Sequence, residues 1–482
     1  MRRVPCPIGV TAVVAVLFLV LPGLADRSDA QVLRYVVRAD PFEVELSLPD
    51  GTKQVKRLGR EATHFYSENG WPVPDGASDK LVRCEIRWDG FPAGWRLVNS
   101  FGIDRRKQEF STTLGDLRKA VFAGGDFRIA RSKKGLFLVT REAWKFSDLE
   151  ATDLLDRIAE AQIDIWRDRG LSGHLVYLLA TKESAGHWEG EGRTRAMALQ
   201  ISRDTATLAD VALGVSHELF HAWNARRLNR TEDERIYWFS EGITEYYATV
   251  TLWRSGVWNF AQVLDHFNTL TRTYFGSPVR NYTADRMVEH RKSDFNAERL
   301  PYLQGFLLAA HWNTDGRIMD RVLRNLMKTN REPLSNQRIA DALRSTGLTR
   351  AGGEIERFVV RGETIVLRPR IWGDCAAESE LSVKQFDMGF DVDESKKTGI
   401  IQGVRESGKA WEAGVRNGQR WATMDVVWGD PSYLAELEIR DGQDTRRVKF
   451  YPASSNAIDA PQYTPTSSAG CDPPARSSSS PR

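Results

Sequence analysis

Between residues 32 and 124 short apolar runs, among them 42–48 and 81–88, alternate with turns rich in Gly, Pro, Asn and Asp. Period-two patterning interrupted in this way predicts a β-rich N-terminal domain over 32–124. At 154–167 the spacing becomes that of an amphipathic helix; strands are expected at 175–180 and 196–202, and helices from there to about 345. The block 125–345 therefore reads as α/β turning mostly α. Strand-like runs return at 398–404, 421–428 and 446–451 around a short helix at 409–413, predicting a small third domain within 346–452. Residues 453–482, rich in Ser, Pro and Ala, carry too little apolar surface to order themselves and are expected to form a flexible tail. The fold class is multidomain α+β, with no internal repeat.

Composition adds limits. A chain of 482 residues exceeds what one core organises, so several cores are expected. Lys and Arg number 67 against 64 Asp and Glu, with no basic stripe, which argues against a nucleic-acid partner. Arg2 and Arg3, an apolar run over 8–21 and the small residues Gly23 and Ala25 form a secretory signal over 1–25, with cleavage after Ala25 or as late as Ala30. The run is shorter than the roughly 20 apolar residues that span a bilayer, so no stable membrane span is expected after cleavage. The mature chain is expected to be secreted or periplasmic. It keeps Cys84, Cys375 and Cys471, of which Cys375 and Cys471 are a possible bridge.

The chemistry lies in the middle block. Residues 217–221 read H-E-L-F-H within a stretch of good helix formers running from about 209 to 228. Residues four apart share one face of a helix, so His217 and His221 can both present imidazoles to one ion, and Zn2+ accepts such ligands. Glu218 lies beside them, placed to take a proton from water. A catalytic zinc takes three protein ligands and leaves a position open. The third is expected from 238–247, W-F-S-E-G-I-T-E-Y-Y, where Ser240 caps a helix ending near Gly256 and Glu241 opens it facing the first helix. Glu245, four residues on, can hydrogen-bond a ligand imidazole and set its tautomer; Asn224 is a further supporting candidate.

The runs H-E-L-F-H-A-W-N and W-F-S-E-G-I-T-E-Y-Y resemble those of the glycyl aminopeptidase family of zinc peptidases, members of the gluzincin group. The resemblance implies a β-rich N-terminal domain, a thermolysin-like catalytic domain and a C-terminal PDZ module. It implies zinc on His217, His221 and Glu241, with Glu218 as general base. Residues 300–306, L-P-Y-L-Q-G-F, are similar to a P-Y-x-x-G-F segment of related gluzincin aminopeptidases, which makes Tyr302 the expected donor to the developing oxyanion, with Tyr282 in reserve. Such a donor contributes roughly 3 to 4 kcal/mol to lowering the barrier. Residues 399–404 and 410–418 look like part of a PDZ domain, for which a C-terminal peptide is the implied partner, although Met388-Gly389-Phe390 matches the binding loop only in part and Gln419 replaces the usual acid.

The expected reaction is attack of water on a peptide bond, with the substrate lying by strand addition along 196–202, beside Ala198 and Gln200. Here the chain departs from its relatives, which carry a glycine-rich segment with a Glu-His pair at this edge. No acid occurs between Glu191 and Asp204. Arg193 and Arg195 stand there instead and suit a carboxylate better than an ammonium group, unless Glu183, Glu189 or Glu191 reaches in. The readings are thus an aminopeptidase-like enzyme acting on peptide or protein, a zinc endopeptidase, a hydrolase of non-peptide amides or esters, and a catalytically silent PDZ-bearing binding protein.

Overall fold

The computed structural model describes residues 31–466 and Cys471, apart from 40–41, 58–63, 67–69, 142, 182–187, 203–205, 225, 229–232, 330–331 and 442–443. The expected secretory signal, with its expected cleavage at Ala25 or Ala30, falls outside the described residues, as does Glu183. Among the described residues no helix is long and apolar enough to cross a membrane.

The chain divides into two compact units, one ending at Phe91 and including Arg105–Lys119, the other comprising Pro92–Asp104 and everything after Ala120. In the first, strands β1 (Gln31–Ala39), β2 (Phe42–Ser47), β3 (Lys53–Arg57), β4 (Leu81–Asp89) and β5 (Lys107–Thr113) form one sheet of order β3-β2-β1-β4-β5. Strict alternation sends Leu33, Tyr35, Val37, Val44, Leu46, Val82, Cys84 and Ile86 into a single buried face, as the apolar runs require. Burial pushes the Cys84 thiol up to about 12, so it is an inert core residue.

The second unit is built on β6 (Arg128–Arg131), β7 (Phe137–Thr140), β8 (Leu175–Thr181), β9 (Trp188–Arg193) and β10 (Ala196–Ser202), in the order β6-β7-β8-β10-β9. β7, β8 and β10 run parallel. A parallel pair needs a crossover, and α1 (Asp148–Trp166), opened by a Ser147/Glu150 capping box, supplies it between β7 and β8. The expected edge strand at 196–202 is not an edge. β9 pairs antiparallel along all of it, from Trp188 opposite Ile201 to Arg193 opposite Ala196, and is itself the outermost strand. W-E-G-E-G-R has no apolar alternation, so a strand there escapes a pattern reading.

Helices α2 (Leu208–Asn224), α3 (Ile243–Arg254), α4 (Phe260–Gly276) and α5 (Phe295–Trp312) follow the sheet. They share one core with it, in which Phe220 of α2 stacks on Tyr247 of α3 at 4.9 Å and Trp166 of α1 meets Phe220 at 5.2 Å. Ser240 is not the expected cap. Trp238–Gly242 is a π-helical turn running straight into α3, so Glu241 lies inside a continuous helix.

Residues 453–482 are not a tail throughout. β15 (Ala453–Pro465) pairs with β11 (Ala376–Phe386) in a long antiparallel ribbon, and a disulfide joins Cys375 to Cys471. Tyr463 is buried against Phe267 of α4, and Asn268 bonds both the N–H and the C=O of Tyr463, completing the edge of the strand with an amide side chain. Ser and Ala alternation hid the strand because its partner and its two aromatic-facing contacts come from distant parts of the chain. Between the ribbon strands sits a module with its own apolar cluster around Phe390, Ile401, Val415, Leu437 and Ile439, and strands β12 (Arg420–Asp425), β13 (Ala435–Asp441) and β14 (Asp444–Phe450). The strand expected at 398–404 is reduced to isolated bridges, because Gly399 and Gly403 take positive φ of 68° and 65°.

Candidate active site

One turn of α2 separates His217 from His221, and both are buried. Their Nε2 atoms lie 3.5 Å and 3.2 Å from Glu241 Oε2. The three donor atoms all fall within 4.8 Å of one another, and this is the group of side chains able to hold a metal among the described residues. His217 Nδ1 donates to Glu245 Oε2 at 2.8 Å, which fixes the tautomer and leaves Nε2 facing the cluster. Two imidazoles and one carboxylate fit Zn2+, which takes that donor set with one position left for water.

The π-turn brings Glu241 to α2. Asn224, at the end of α2, donates through Nδ2 to Ser240 O at 3.0 Å and Thr244 Oγ1 at 2.8 Å, tying the two elements together. The turn also packs backbone to backbone on α5. A Cβ on Gly305 would lie 1.7 Å from Trp238 O, and one on Gly242 would lie 2.5 Å from Gly305 Cα, so both positions must lack one. Tyr302, one turn before Gly305, then stacks on His217 with ring centroids 6.0 Å apart. The reserve candidate Tyr282 faces Arg286 and His290 instead.

Glu218 is buried beneath β9. A Cβ on Gly190 would meet its Oε1 at 2.4 Å, and one on Gly192 would meet His221 Cβ at 3.1 Å, so the glycines let the edge strand cross directly over the base. Burial raises the Glu218 pKa, and the nearby His221 and His217 only partly offset this. For His217, burial pulls the pKa down, and its bonds to Glu241 and Glu245 oppose that shift. Burial likewise opposes the ionised form of Glu241, which the two imidazoles nevertheless hold well below the usual carboxylate range. Tyr302 is pushed well above its usual value by burial and then by Glu241 and Glu218, so its hydroxyl remains a proton donor at neutral pH.

The residues expected to bind substrate are placed differently. Ala198 and Gln200 stand on the internal strand β10, covered by β9. Arg193 is buried and ion-paired with Glu191, so its charge is already spent within the strand. Arg195 occupies the tight turn between β9 and β10, exposed, at φ 48°. The acids that looked absent from the edge are on it after all, because the edge strand is Trp188–Arg193 and carries Glu189 and Glu191. His266 of α4 was missed too: its Nε2 bonds Glu245 Oε1 at 3.1 Å, so Glu245 spans two imidazoles. No local spacing relates His266 to the motif; the glycine and acid alternation of 188–193 was the signal available for β9.

Among solved structures the chain is similar to an aminopeptidase N family protein from Idiomarina loihiensis, at 15% identity over 80% of this chain and 78% of that one, with a TM-score of 0.56. It is also similar to an M1 zinc metallopeptidase from Deinococcus radiodurans, at 14% identity over 70% of this chain and 95% of the other, with a TM-score of 0.45. The chain thus has the fold of an aminopeptidase N family protein, and within it His217, His221 and Glu241 form a cluster able to hold a metal ion. Residues 211–293, which contain the motif helix, the π-turn and the helices after it, match the M61 glycyl aminopeptidase family. No curated protein matches the sequence.

Proposed function

We propose that this protein is an exported zinc aminopeptidase. The observation that carries the reading is the buried cluster of His217, His221 and Glu241 with Glu218 held against the backbone of an edge strand. Zn2+ on those three side chains supplies Lewis-acid chemistry, lowering the pKa of a water and polarising a carbonyl. Glu218 takes the water proton and returns it to the leaving nitrogen; burial raises its pKa, which strengthens it as a base for that proton. Tyr302 donates its hydroxyl to the negative charge developing on the scissile carbonyl oxygen. Glu245 and Asn224 keep the ligands in place.

The outer side of β9 offers an extended peptide a line of backbone partners, and Glu189 or Glu191 a carboxylate for its ammonium group. Export is supported by the Cys375–Cys471 disulfide, a bond that persists in oxidising compartments. The compact module within 386–450 is read as PDZ-like. A chain-end ligand finds less support there, since the Gly389 N–H of the expected loop already donates to Asp387 Oδ1.

Matched peptides with free and acetylated N-termini, incubated with and without chelator, test the proposal. Chelator-sensitive cleavage confined to the free-amine peptides is expected. Equal cleavage of blocked peptides would mean an endopeptidase, and cleavage of neither would return the chain to a binding role.

A further inference from the structure

Arg299 lies on α5 three residues before Tyr302, so the two side chains emerge from one helix face about 5 to 6 Å apart at Cβ. It is half-buried. Its Nη1 donates to Trp428 O at 3.1 Å, a backbone oxygen of the C-terminal module, and Phe295 on the same helix packs on the Trp428 ring at 5.4 Å. That bond anchors the head group. Among the described residues Nε and Nη2 have no hydrogen-bond partner, and neither is buried out of reach of solvent. Among the described residues no carboxylate comes within ion-pair distance, although Glu245, Tyr302 and Asp430 are close enough to act on it electrostatically. Asp430 accepts from the Ser432 N–H and hydroxyl through Oδ1, and acts on Arg299 from beyond ion-pair distance rather than through a hydrogen bond.

This is an unusual arrangement for a guanidinium. Half-buried arginines are ordinarily matched by a carboxylate, because removing the charge from water without a partner is costly. Here the head group is held on one side by a carbonyl, presents a free fork on the other, and stands one helical turn from the hydroxyl expected at the scissile carbonyl. A planar fork held in this way is suited to bidentate capture of a carboxylate. Of the acids at the candidate site, Glu245 is the one whose charge reaches it.

We infer that Arg299 is a specificity residue that grips a carboxylate of the substrate close to the scissile bond. The inference rests on the peptidase reading above. Two sources offer the same chemistry: the free C-terminus of a very short peptide, or an acidic side chain beside the cleaved bond.

The test uses the full mature chain loaded with zinc and carrying Glu218→Gln, so that peptides bind without turnover. Calorimetry measures Ala-Ala against its C-terminal amide, and Ala-Glu-Ala amide against Ala-Gln-Ala amide, with Arg299 intact, Arg299→Lys and Arg299→Gln. With Arg299 intact the carboxylate member of at least one pair is expected to bind roughly tenfold to a hundredfold more tightly, the worth of a charged hydrogen bond. The first pair reports a chain terminus and the second a side chain. Arg299→Gln should bring the ratio close to one, while Arg299→Lys, which keeps a cation and a donor for Trp428 O, should retain part of it and serves if the glutamine variant does not fold. A ratio near one with Arg299 intact, or a ratio that survives Arg299→Gln, overturns the inference. Parallel cleavage assays with Glu218 intact separate the two failures: turnover without discrimination removes only the role of Arg299, whereas no turnover of any peptide removes the peptidase reading beneath it.

Discussion

Glu245 shows how much a single side chain does in this site. One oxygen fixes His217 and the other holds His266, and these bonds keep its carboxyl below the usual range although burial opposes the charge. Tyr302 illustrates the converse, a group kept protonated by the same acidic surroundings. If its hydroxyl acts in the transition state, Tyr302→Phe should lower kcat by roughly a hundredfold or more with little change in KM, as loss of one oxyanion donor does. Steady-state kinetics on a free-amine peptide check this, and an unchanged kcat would reduce Tyr302 to a packing residue. At this scale the cluster was legible, since His217, Glu218 and His221 fall on one turn and Glu241 in a second compact motif. His266 was not, because a lone histidine carries no sign of the distant carboxylate it meets.

Among the elements, the π-turn Trp238–Gly242 does the positioning, and Gly305 is where it is most exposed to test. Gly305→Ala should force the π-turn away from α5, costing about 3 kcal/mol or more of unfolding free energy and weakening metal retention. Urea unfolding with a paired metal-dissociation assay reads both, and a variant as stable as the parent would show that the contact yields. The sequence patterns placed the motif helix and most of the central strands well, because buried parallel strands are continuously apolar and α2 has strong periodicity. β9 was lost because close passage over Glu218 demands glycine at 190 and 192, and that same demand erases the apolar alternation a strand usually shows. Misplacing the edge by one strand is also what made Arg193, Arg195, Ala198 and Gln200 look like substrate contacts.

At the scale of the whole molecule, contacts between distant segments decide what local patterning cannot. Residues 453–465 and Cys471 are held by β11, Asn268 and Cys375, none of which is near them in sequence. Stability should also carry a pH signature from His174, whose ring burial, aided by Arg226, drives down to about 3 from 6.5. The folded pKa lies below the unfolded one, so between those values the unfolded chain binds the extra proton and stability falls as pH falls. The slope is up to about 1.4 kcal/mol per pH unit for one group. His174→Asn, compared with the parent in chemical unfolding from pH 7 to 4, should flatten that decline; an identical decline would contradict the buried neutral histidine.

The central claim is that His217, His221 and Glu241 hold a catalytic zinc that Glu218 serves without ligating. Metal content by mass spectrometry on the purified parent, Glu218→Gln and Glu241→Ala tests it most directly. The account predicts one zinc per chain in the parent and in the inactive Glu218→Gln protein, and loss of zinc from Glu241→Ala. Full zinc in Glu241→Ala, or none in the parent, would contradict it.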